Sequence, residues 1–220
     1  MELIMNKLTQ ILARFFKVIV NGQAYLNLVY LLAAFPLGIL YFVFLVSGLS
    51  LGISLSIIWV GIPLLLIVGA GWLILAKFER FIAIHWLKED VPAMNFPQLT
   101  GVDIWSTFKE HFLNPITWKS PVYLFLKFPL GVATFSILIT LVSLTLALLT
   151  LPLTYQSLDF QIGGFFSVDQ IAWQVDGMGE ALVGTLIGLI LWPATLQFIN
   201  GMTWVHAKFA RVMLSINPVG

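Results

Sequence analysis

Few residues in this chain have the chemical means to bind or catalyse. Three histidines, His85, His111 and His206, could ligate a metal, but successive members lie 26 and 95 residues apart and no His-x-x-x-His spacing occurs. A zinc site needs three or four converging ligands, usually with two of them close in sequence. The histidines therefore predict no metal, and nothing in the chain points to a cofactor. Asp159, Asp169, Asp176 and Glu180 share a stretch without lysine or arginine. They could attract a cation, yet they lack the tight alternation of an oxygen-rich calcium loop. Cysteine is absent, which excludes disulfides, thiolate metal sites and a cysteine nucleophile. No nucleophile–base or acid–base constellation stands out, so the expectation is not an enzyme. A net charge of +1 without a basic stripe excludes nucleic acid as a partner.

The elements that carry these residues are apolar. Hydrophobic residues make up 60% of the 220 and charged residues 10%, against about 25% charged in soluble domains. Between Lys17 and Lys77 lie 59 consecutive uncharged positions. One spanning helix needs about 20 apolar residues, so this run holds two, at roughly 25–47 and 53–76. The small residues Ser47-Gly48-Leu49-Ser50-Leu51-Gly52 predict the turn between them. A third span is expected at 122–151 and a fourth at 180–205, joined by an acidic, aromatic loop at 152–179. The interiors of these spans offer serine, threonine, asparagine and glutamine but no charge, which argues against a carrier. Residues 1–20 place Leu8, Ile11, Leu12, Phe15 and Ile19 on one helical face and Lys7, Gln10, Arg14 and Lys17 on the other. That pattern predicts an amphipathic helix in the membrane interface rather than a signal peptide. Residues 81–121 read as a second interfacial segment, with a short helix at about 102–113.

Charge placement sets orientation. All 11 lysines and arginines fall in 1–20, 77–127 and 208–211, and none in 48–52 or 152–179. The positive-inside rule then predicts a multi-pass plasma-membrane protein with both termini cytoplasmic and the acidic loop outside. If the loop senses anything, Asp159, Asp169, Trp173, Asp176 and Glu180 are the candidates.

The chain also repeats itself. Tyr30 to Gly38 reads YLLAAFPLG and Tyr123 to Gly131 reads YLFLKFPLG, while AKFER at 76–80 returns as AKFAR at 207–211. Each half is FPLG opening, span, turn, proline-bearing span and basic close. The expected fold is therefore all-α and integral to the membrane, with repeat 1 at 25–80 and repeat 2 at 122–211 as parallel helical hairpins. Phe35, Pro36, Gly38, Pro63, Phe128, Pro129, Gly131 and Pro193 mark the shared packing and kink positions.

These motifs, in this order, resemble a known family. YLLAAFPLGILYFVFLVSGLSLGISL with GIPLLLIVGAGWLILAKFER, then FPLGVATFSILITLVSLTLALLTLPLTY, Gly179-Glu180-Ala181-Leu182 and KFAR, are similar to the bacterial and archaeal sensor domain found ahead of two-component histidine kinases. The resemblance covers roughly 25–214. It implies a four-helix membrane module that receives a signal, and it supplies no catalytic residue or cofactor. No phospho-accepting histidine or ATP-binding domain follows KFAR here, so the expectation is a sensor that acts through a partner. The expected partners are the bilayer and a protein in the membrane or at the cytoplasmic face, with a second copy of the chain as one candidate. A structural or assembly subunit of a larger complex is the alternative, and a small transporter component the third reading.

Overall fold

The computed structural model of the chain describes residues 10, 13, 15–92, 115–154, 161–162, 173–174 and 177–214. Four long helices dominate: α1 (Gly22–Leu55), α2 (Gly61–His85), α3 (Pro115–Thr154) and α4 (Met178–Leu214). All four are long and apolar enough to cross a membrane. Two short strands, β1 (Gln161–Ile162) and β2 (Trp173–Gln174), pair antiparallel between α3 and α4, with Gln161 opposite Gln174 and Ile162 opposite Trp173.

The reason for helix here is solvent rather than amphipathicity. Apolar residues surround each helix, so Leu40, Ile53, Ile67, Ile74, Leu186 and Ile190 all face outward. Such a surface suits hydrocarbon, where every backbone group must find its partner inside its own helix. The small polar residues follow the same logic. Thr134 donates to the carbonyl of Leu130 at 2.8 Å, Ser136 to Val132 at 2.9 Å and Thr150 to Leu146 at 2.9 Å. Each hydroxyl is satisfied one turn back and needs no water.

The first turn falls later than its small residues suggest. Residues 48–52 are helical, and the chain reverses at 56–60 through the 3-10 turn Ser56–Ile58 and a left-handed Trp59 with φ of 66°. Gly48 and Gly52 are contact points instead: a Cβ at either would run into Val68 or Leu65 of α2. Small residues in membrane helices are as often seats for a neighbour as places to turn. Pro63 also plays a different part from the one expected. It is the third residue of α2, where its missing N–H has no intrahelical acceptor to lose, so it starts the helix rather than interrupting it. Pro36 and Pro193 do lie inside α1 and α4.

Residues 15–17 are helical and run into the 3-10 turn Val18–Val20, whose far side is closed by Tyr25 donating to the carbonyl of Ile19 at 2.9 Å. The rest of the expected N-terminal amphipathic helix, and all of the one expected at 102–113, lie outside the described residues.

Contacts group the chain into two compact units. One comprises Met1–Tyr25 and Ile137–Ile199. Within it Thr145 of α3 and Thr195 of α4 share a hydroxyl hydrogen bond at 3.2 Å, and a Cβ on Gly188 would lie 3.1 Å from Leu148 and Leu149. The other comprises Leu26–Ser136 and Asn200–Gly220. It holds the crossing of α1 and α3. A Cβ on Gly38 would lie 3.0 Å from the Lys127 carbonyl and from Phe128 Cα, and one on Gly131 would lie 2.9 Å from the Ala34 carbonyl. Phe35 stacks on Phe135 and Phe42 on Phe128, with ring centroids 4.6 and 4.7 Å apart. Partner numbers on α3 fall as those on α1 rise, so the two helices cross instead of running alongside each other in one sense.

Candidate functional site

Polar chemistry gathers beside this crossing. Glu79 projects from α2 two turns before its end, and Lys127 from α3 beside Phe128. Both are buried to 1% exposure and form an ion pair. A charge sealed into an apolar bundle demands partners, and both groups have them. One oxygen of Glu79 accepts from Tyr41 of α1 at 2.8 Å. The other accepts from Tyr123 of α3 at 2.9 Å and from Lys127. The lysine ammonium also donates to the hydroxyls of Tyr30 at 3.2 Å and Tyr123 at 3.5 Å, so all three of its protons are used. It lies 5.2 and 5.7 Å from the rings of Tyr30 and Tyr123, within cation–π range.

His206 of α4 meets the edge of Tyr30, with centroids 5.9 Å apart. It is buried, and among the described residues its Nε2 has no hydrogen-bond partner; the same is true of the Thr203 hydroxyl one turn earlier. Nearby, Asn27 of α1 donates to Asn200 of α4 at 2.8 Å. The cage is thus a neutral ion pair surrounded by three tyrosines, with both charged groups buried. Its carboxylate is capped by three donors and its ammonium is saturated. Such a group cannot approach a substrate or pass a proton on without first separating. What it can do is hold helices α1, α2 and α3 in one arrangement.

A second charged contact closes the same unit. After α2 the chain folds back through residues 86–92. Arg80 donates to the carbonyls of Val91 at 2.8 Å and Pro92 at 3.0 Å, and Val91 is buried. Glu89 accepts from Lys208 at 2.9 Å and Arg211 at 3.3 Å, both on the last turns of α4. The hydrogen bond from Lys208 pulls the Glu89 carboxyl below the usual carboxylate range; partial burial opposes this and Arg211 adds to it. The basic residues of AKFER and AKFAR therefore clamp one strap between them.

The sequence-derived candidates are scattered by comparison. Phe35, Gly38, Phe128 and Gly131 do come together, at the α1–α3 crossing, with Pro36 and Pro129 beside them in the helices. Pro193 lies in the other unit. Asp159, Asp169 and Asp176 fall outside the described residues, and Trp173 belongs to β2. Glu180 sits in the first turn of α4, where a carboxylate is favoured by the helix dipole. Among the described residues no three metal-binding side chains converge. The expectation of an uncharged interior is overturned by Glu79 and Lys127. Glu79 belongs to AKFER, just past the span expected at 53–76, and Lys127 lies near the start of the span expected at 122–151. Lys127 nonetheless carried a signal: it stands within YLFLKFPLG, with apolar residues on either side.

No curated protein and no solved structure matches the chain. The family described as "Putative sensor" matches residues 30–214, which takes in the crossing, the buried cage and both basic clamps. On that match, the four-helix chain belongs to the Putative sensor family.

Proposed function

We propose that the protein is a non-catalytic membrane sensor that passes its signal to a protein partner, from the plasma membrane and with both termini cytoplasmic. Family membership over 30–214 carries this reading. The buried cage supports it. A saturated ion pair between helices has two clear conditions, closed and separated, which is what a two-state transmitter needs.

The reading includes a built-in duplication. Two hairpins, α1–α2 and α3–α4, are taken as equivalent copies related by a two-fold axis at the FPLG crossing. Burial supports the equivalence. The buried positions of α1 are 24, 27, 30, 31, 34, 38, 41, 45 and 52; those of α3 between 117 and 145 are the same numbers plus 93. The crossing contacts are reciprocal as well. Gly38 faces Lys127 and Phe128, while Gly131 faces the corresponding Ala34 and Phe35. In this frame the strap at 86–92 and the α4 end form the cytoplasmic face that a partner would read.

Gentle solubilisation of native membranes, followed by affinity capture and native electrophoresis, tests the proposal. A stoichiometric partner bearing kinase or regulator domains is expected. Migration as a fixed subunit of a large complex would replace the sensor by the structural-subunit reading, and recovery without any partner would overturn both.

A further inference from the structure

The two buried charges are among the positions where the copies differ, and at these positions the difference is one of charge. Aligning YLLAAFPLG on YLFLKFPLG sets Lys127 against Ala34, and aligning AKFER on AKFAR sets Glu79 against Ala210. All four positions are buried. Other residues of the crossing are shared: Tyr30 with Tyr123, Phe35 with Phe128, Gly38 with Gly131 and Phe42 with Phe135, although Tyr41 stands against Thr134 and Phe125 against Leu32. A contact whose glycines and stacked rings recur in both halves is self-complementary at those positions. The first copy of one chain could cross the first copy of another through the same glycines and rings.

The charges break that tie. When copy 1 crosses copy 2, Glu79 meets Lys127 at one of the two equivalent spots, and the counterpart spot falls to the alanines Ala34 and Ala210. When copy 1 crosses copy 1, both spots would set Glu79 against Ala34, burying two carboxylates without a cation. When copy 2 crosses copy 2, both would set Lys127 against Ala210, burying two ammonium groups without an anion. An uncompensated buried charge is far costlier than either a matched pair or two alanines. We propose that Glu79 and Lys127 are the specificity pair of the FPLG surface, which makes each copy choose the other half of its own chain over a second chain. This rests on the two-copy reading above.

The native chain has no cysteine, so introduced thiols report cleanly. Phe42→Cys with Phe128→Cys, treated in membranes with a short bis-thiosulfonate linker, reports the crossing within one chain. Phe35→Cys with Phe42→Cys reports copy 1 on copy 1 between chains, because Phe42 stacks on the counterpart of Phe35. On the native background the first pair is expected to give a linked monomer and the second no dimer. Adding Glu79→Ala and Lys127→Ala gives each position the residue its counterpart already has, so packing is retained. That background is expected to raise the Phe35/Phe42 dimer by at least about tenfold. Exchanging the charges, Glu79→Lys with Lys127→Glu, should return it to the native level. An alanine background that forms no more dimer than the native chain overturns the proposal. Failure of Phe42/Phe128 to link in the native chain removes the crossing itself, and the proposal with it.

Discussion

At the scale of single residues, the cage is a matter of matched charge rather than net stabilisation. A buried ion pair roughly breaks even against apolar residues of the same volume, whereas removing one member strands the other. Lys127→Ala alone should therefore destabilise the protein by about 3–5 kcal/mol, and Glu79→Ala likewise. The double alanine variant should lose much less than the sum, because no charge is left behind. Thermal unfolding of the three variants in one detergent would show the difference, and strictly additive losses would contradict it. Tyrosine hydroxyls that reach Glu79 at 2.8 and 2.9 Å contribute on a smaller scale; bonds to a charged group are worth about 1.5–3 kcal/mol each. The reason these residues were hard to read from the chain is specific. A lysine or glutamate at the edge of an apolar run ordinarily marks the water boundary, and Lys77 and Arg80 beside Glu79 reinforce that reading. Setting YLLAAFPLG against YLFLKFPLG and AKFER against AKFAR singles both out, since Lys127 and Glu79 stand against Ala34 and Ala210.

At the scale of elements, close approach of backbones decides what can change. A methyl group at Gly38 or Gly131 would press on main-chain atoms of the facing helix at about its contact limit, 3.0 and 2.9 Å. Backbone cannot move aside as a side chain can, so Gly38→Ala and Gly131→Ala should each lower stability, by about 1–3 kcal/mol. Gly201 lies within α4 with nothing within 4 Å of a Cβ, and there Gly→Ala should raise stability by about 0.5–1 kcal/mol through helix propensity. Equal effects at the three sites would remove the special role of the crossing. The strap has its own signature in pH. Its carboxylate, Glu89, has a lowered folded value, so its contribution is present above the unfolded value of 4.5 and is lost as pH falls through the folded one. Native protein and the Glu89→Gln variant should differ in melting temperature at neutral pH and converge well below pH 4.5; a constant gap down to pH 3 would count against the clamp. Helix number and type were plain in the sequence, because three long uncharged runs, the first long enough for two spans, admit little else. Helix ends were less plain. The glycines at 48 and 52 face Leu65 and Val68 of the neighbouring helix, and a glycine that accommodates a neighbour looks, in sequence, like a glycine that turns.

At the scale of the whole molecule, the distribution of lysine and arginine makes the strongest claim. On the positive-inside rule it predicts that the turn at 56–60 and the acidic loop expected at 152–179 share one side of the membrane, opposite the strap and the C-terminus. Single cysteines at Ile57, Ser157, Lys88 and Val219, probed with an impermeant maleimide on intact cells, should label the first two and spare the others. Labelling of Ile57 and Ser157 from opposite sides would rule out the proposed parallel arrangement of two hairpins.

Glu79 and Arg80 are neighbours in the chain, and successive residues of a helix point about 100° apart around its axis. One faces the lysine in the bundle; the other grips the carbonyls at 91 and 92. Helix α2 is thereby pinned against rotation from two directions at a single level. Turning it by even one residue's angle would break the inner grip and the outer grip together. A stimulus that rotates α2 would free the strap in the same step that opens the cage, with no further moving part between them.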